Sequence, residues 1–85
     1  MKERLEVLIL RILKAEEAIT KSSGMTLKEF PLKDLGISLS TLYKKMTILE
    51  KKGFVQKGHK DSQAFTYYVT KPGLEILDLE SSGES

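Results

Sequence analysis

The chain is 85 residues long, which is room for one domain of ordinary size and not for two. Hydrophobic residues make up 40% and charged residues 31%, the balance of a folded domain and not of a disordered segment. There is no cysteine, which excludes disulfides, cysteine-type zinc sites and thiol catalysis. No uncharged run approaches the length of a membrane span and nothing frames a signal peptide, so a cytoplasmic protein with no membrane partner is expected.

The net charge of +2 is small, but its distribution is uneven. Between Ser38 and Lys71 lie seven basic residues (Lys44, Lys45, Lys51, Lys52, Lys57, Lys60, Lys71) against Glu50 and Asp61. From Pro72 onward there are four acidic residues and no basic one. A basic middle before an acidic end suggests one face for a polyanion. Lysines that merely solvate helix and hairpin surfaces would give the same composition.

In chain order, the first predicted element is a helix over Lys2 to Thr20. Leu5, Leu8, Ile9, Ile12 and Ile19 recur at three- and four-residue steps, with Leu13 beside them, until Ser22-Ser23-Gly24 breaks the pattern. Val7 and Leu10 fall off that stripe. They serve either a wide core contact or a second protomer. Met25 to Gly36 reads as a short strand-like lead and a short helix over Pro31 to Leu35, which Gly36 ends in a left-handed conformation.

Ser38 is an N-cap for a helix over Leu39 to Lys52, which Gly53 stops. Leu42, Met46 and Leu49 form its core stripe. Ser40, Tyr43, Lys44, Thr47 and Lys51 form the opposite face. Phe54 to Lys57 and Phe65 to Thr70 read as strands of a hairpin whose tip is Gly58 to Ala64. Thr70 caps a last helix with Pro72 in its first turn and Leu74, Ile76, Leu77 and Leu79 as its apolar content. The domain is expected over 1–80, with 81–85 as a flexible polar tail.

Helix, short strand, helix, helix, strand, strand, helix is an α+β order, mainly α with a β-hairpin. Two helices joined by a tight turn, the second with a polar basic face, make a helix-turn-helix, and a hairpin directly after it makes a wing. The major groove of B-DNA admits one α-helix. The helix 38–52 would enter it with Ser40, Thr41, Tyr43, Lys44, Lys45, Thr47 and Lys51. The wing 58–64 would meet backbone or minor groove, with Lys57, His59 and Lys60 as contacts.

Thr41-Leu42-Tyr43, Met46, Leu49-Glu50 and Gly53-Phe54-Val55, followed by Tyr67-Tyr68-Val69-Thr70, Gly73 and Leu77, resemble the recognition helix, wing and following helix of PadR-like and MarR-like winged-helix transcription regulators. The resemblance covers about Thr26 to Leu77. It implies a small DNA-binding transcription regulator acting on double-stranded DNA as a homodimer. The first helix does not lead into the Gly-Tyr stretch typical of PadR-like proteins. The stretch after Leu79 is too short for the long dimerisation helix of larger relatives. A homodimer is therefore expected to use Val7, Leu10, Leu74 and Leu77. Whether a small-molecule effector exists is left open.

No catalytic, metal or cofactor constellation is evident. His59 is the single histidine, and Glu16 and Glu17 are adjacent in a helix and do not face one another. No enzyme activity, cofactor or metal is expected. The alternative function is a winged helix used as a protein–protein interaction module in a replication, transcription or assembly complex, since fold alone does not decide function.

Overall fold

Helix α1 spans Leu5–Ala15 and ends where the chain turns left-handed at Glu17, with φ 61°. The Ala18 amide bonds back to the Leu13 carbonyl and the Glu17 amide to the Lys14 carbonyl, a Schellman ending. Its hydrophobic clasp is Ala18 on Leu13, both fully buried. This correction shortens the helix expected to reach Thr20, and it turns Ile19 out to 44% exposure. The computed structural model describes residues 5–61 and 64–83, and the expected start of this helix at Lys2 lies outside the described residues.

Two short 3₁₀ turns follow, Lys21–Ser23 and Leu27–Glu29, and then α2, Leu32–Leu35, with Pro31 at its N-cap. Between the turns, Met25 exchanges two backbone hydrogen bonds with Tyr67 of the hairpin, at 3.0 and 2.8 Å. The strand-like lead expected there is this single bridge. Gly36, at φ 71°, ends α2, and Ser38 caps α3, Leu39–Lys52, by accepting the Thr41 amide at 3.2 Å. Gly53, at φ 84°, ends α3 in a further Schellman arrangement, with the Phe54 amide on the Leu49 carbonyl.

Strands β1, Val55–Asp61, and β2, Ala64–Val69, pair antiparallel. Register slips between Lys57 and Lys60, so Gly58 and His59 lie opposite the single residue Thr66. The hairpin tip expected over Gly58 to Ala64 is thus mostly strand. Only Ser62 and Gln63 fall between the strands, and they lie outside the described residues. The bulge holds Gly58 because a Cβ there would stand 2.5 Å from the Lys21 carbonyl oxygen and 2.8 Å from the Thr66 hydroxyl. The Thr66 hydroxyl donates to the His59 carbonyl at 2.7 Å and fixes the bulge.

Helix α4, Lys71–Gly83, opens with the Thr70 hydroxyl accepting from the Gly73 amide. That hydroxyl also donates to the Gly53 carbonyl at 2.6 Å, tying the start of α4 to the end of α3. The helix runs three residues into the expected tail; residues 84 and 85 lie outside the described residues.

The core joins Ile9, Leu10 and Leu13 of α1, Leu42, Met46 and Leu49 of α3, Val55 and Val69 of the hairpin, and Leu77 of α4. The architecture among the described residues is α+β, four α-helices and one two-stranded antiparallel hairpin. Helix α1 is apolar on more than one side because it packs on α3, α4 and β2 together. Val7 (9% exposed), Leu10 (1%) and Leu77 (5%) are consumed in the chain's own core, and Leu74 is half-buried against it. The assignment of Val7, Leu10 and Leu77 to a dimer surface is therefore corrected.

Candidate functional site

Helix α3 turns one side inward through Leu42, Met46 and Leu49, all essentially inaccessible. With 3.6 residues per turn, the opposite side must carry Ser40, Lys44, Thr47 and Lys51, and Tyr43 stands on the flank of that side. Ser40, Tyr43, Lys44 and Lys51 are exposed; Tyr43 shows 54% of its surface. At about 1.5 Å per residue the 14-residue helix presents an outward face roughly 20 Å long, polar and basic apart from Ile48, which is 39% exposed.

Not every hydroxyl on this face is free to bind elsewhere. The Thr47 hydroxyl donates to the Tyr43 carbonyl one turn back, at 3.0 Å. The Thr41 hydroxyl accepts from the capping Ser38 hydroxyl at 3.2 Å, and the Ser40 hydroxyl lies 3.4 Å from the same Ser38 hydroxyl, so Thr41 belongs to the helix cap and Ser40 borders it. Lys45 lies on the flank toward α1, with its amine 3.8 Å from Glu6. It is therefore separated from the face shared by Tyr43 and Lys44. That partly exposed ion pair contributes at most about 1 kcal/mol.

The hairpin extends beyond the core it helps to build. On one face Val55, Val69 and Tyr67 are buried, while on the same face further along the ladder Lys57, Lys60 and Phe65 emerge into solvent. The Lys57 and Lys60 amines sit 5.0 and 5.5 Å from the centre of the Phe65 ring. The ring's negative face holds two cations on one exposed strand pair. On the reverse face, the Tyr68 hydroxyl donates to the Gln56 side chain at 2.7 Å. His59 is exposed at the bulge.

Helix α3 and the hairpin enclose an open groove of about 360 Å³, lined by Leu39 and Tyr43 on one side and by Lys57, Phe65 and Tyr67 on the other, with Leu27 and Lys28 beside them. Leu39, Phe65, Leu27 and Lys28 lie outside the set of site residues expected from the sequence. A signal existed for Phe65, which alternates with Tyr67 and so shares its face one step further from the core. Leu39 precedes Leu42 by three residues but lies beyond the end of the packed stripe, and is 41% exposed. Burial pushes the Tyr67 phenol above its ordinary pKa, and the Glu50 carboxylate and the Tyr43 phenol add to the shift.

Among the described residues, no group of three or more acidic or histidine side chains is placed to hold a metal ion, and no helix is long and apolar enough to cross a membrane. No family model matches the chain, and no curated protein matches it in sequence.

Proposed function

We propose that this chain is a double-stranded DNA-binding protein, a small winged helix that acts as a transcription regulator in the cytoplasm. Helix α3 is the recognition helix and enters the major groove through Ser40, Tyr43 and Lys44. Lys51 and the hairpin residues Lys57, His59 and Lys60 meet the backbone alongside. The single observation that carries this reading is a capped helix with its mostly polar, basic side outward, next to a hairpin that projects past the core and carries exposed cations. A helix of this size fits the roughly 12 Å major groove, and the hairpin adds charge contacts that position it.

Thr41 and Thr47 drop to structural roles in this reading, because their hydroxyls are engaged within the helix. Lys45 drops to a secondary role on the α1 flank. A homodimer would have to form through surfaces other than Val7, Leu10 and Leu77.

The test is fluorescence anisotropy on a random-sequence duplex at several salt concentrations. A single chain neutralising three to five phosphates gives log K against log salt a slope of about −3 to −5. A duplex that fails to bind at low salt overturns the proposal.

A further inference from the structure

The groove between α3 and the hairpin has a chemistry that duplex contacts do not use up. Three large apolar side chains that solvent reaches, Leu39 at 41%, Tyr43 at 54% and Phe65 at 45%, all converge on it. Scattered exposed apolar residues need no explanation, but three gathered around one concavity mark a place for an apolar partner group. Its rim is cationic. Lys28 and Lys57 line it, Lys60 shares the Phe65 ring, and among the described residues lining it none is acidic, the Glu29 carboxylate being held by Thr26 at its base.

The polar groups of Thr26 and the backbone bridge at its base are already paired. The Thr26 hydroxyl donates to Glu29 at 3.1 Å, the Thr26 amide donates to the same carboxylate at 3.0 Å, and the Met25 and Tyr67 backbones bond each other. A nucleobase placed there would meet more apolar surface, at Leu27, Leu39 and Phe65, than hydrogen-bonding groups, at a desolvation cost to its polar edge. An aliphatic or phenyl side chain has no such edge.

We infer that this groove docks an acidic peptide, with one large apolar side chain seated between Tyr43 and Phe65 and neighbouring carboxylates on Lys28, Lys57 and Lys60. The occupant follows from charge complementarity around an apolar slot. Resting on the DNA-binding reading above, such a peptide would use Tyr43, Lys57 and Lys60 in competition with the duplex.

The experiment uses the full chain and a short fluorescein-labelled peptide of aspartates and glutamates around one central phenylalanine. The same peptide with serine at the centre is the reference. The phenylalanine peptide should bind at least about tenfold tighter, the factor that burial of one large apolar side chain implies. Phe65→Ala and Leu39→Ser, both at exposed positions, should each remove most of that preference, with the urea midpoint confirming that the variants remain folded.

Equal binding of the two peptides, no binding, or retention of the preference in both variants would overturn the inference. So would a single-stranded oligonucleotide that binds tighter than the peptide and loses its affinity in Phe65→Ala, since the groove would then be a base site. Direct peptide binding is measured without DNA. Failure of the duplex titration with a bound peptide removes only the DNA reading, and the reverse result removes only this one.

Discussion

Helix α3 and the β1–β2 hairpin are each divided between two tasks, and the division falls at the same level of the molecule. On the inner part, Leu42, Met46, Leu49, Val55, Val69 and Tyr67 are buried and interlocked with α1. On the outer part, Ser40, Tyr43, Lys44, Lys57, Lys60 and Phe65 are exposed, although they belong to the same helix and the same strands. A side chain's role here is set by how far along its element, and on which side, it stands. The rigid inner part fixes the geometry of the outer part, so changes to the two should separate into losses of stability and losses of binding.

The largest expected effect is on the inner side. Leu42→Ala removes a fully buried side chain and should lower folding stability by about 2–5 kcal/mol, read from urea denaturation. For a domain of this size that is a large share of the total. Duplex affinity of the folded fraction should hardly change. Gly58→Ala comes next, because its Cβ would meet the Lys21 carbonyl and the Thr66 hydroxyl. A loss of about 1–3 kcal/mol is expected. A wild-type urea midpoint would mean that the bulge tolerates a shift of the Lys21–Ser23 turn.

On the outer side, Lys44→Ala should leave the urea midpoint in place and reduce the magnitude of the duplex salt slope by about 0.9. Lys45→Ala, on the α1 flank, should change the slope less.

The phenol of Tyr67 joins the two sides. Its folded pKa is raised above the ordinary 10.0, so burial favours the neutral form. The associated stability is fully present below about pH 10 and is lost as pH rises through the folded value. Tyr67→Phe should flatten the alkaline fall in stability, measured by urea midpoints across that range. The smallest effect is expected at Glu17, which holds a left-handed conformation at the end of α1. Glu17→Gly should stabilise the fold by up to about 1 kcal/mol in the same assay.

Most of the fold is legible in the residues. Ser38, Gly36 and Gly53 mark element ends by capping and left-handed turns, and α3 has the expected bounds because each local signal agrees. The end of α1 was not legible, because a glutamate occupies the left-handed position that composition assigns to glycine. The hairpin bulge was hidden as well. Gly58, His59 and Lys60 look like turn chemistry until the Lys21–Ser23 turn is seen to press on the strand.

Of the candidate site, the outward side of α3 follows from period alone. The engaged hydroxyls of Thr41 and Thr47, the Lys45–Glu6 pair and the groove at Leu39 and Phe65 depend on contacts between distant parts of the chain. Val7 and Leu10 show the same limit. An α-helix with two apolar sides has the same sequence whether its second side meets a partner or its own α4.

The most direct test of the account compares two charge-matched pairs in the duplex anisotropy titration. Lys44→Ala with Lys57→Ala removes two cations from the outer face of α3 and the hairpin. Arg11→Ala with Lys14→Ala removes two exposed cations from the side where α1 and α4 meet. The first pair should shorten the salt slope by about 2 and weaken binding strongly, while the second should stay close to wild type. Equal losses from both pairs would contradict this, because binding would then follow total charge and not the face built by α3 and the hairpin.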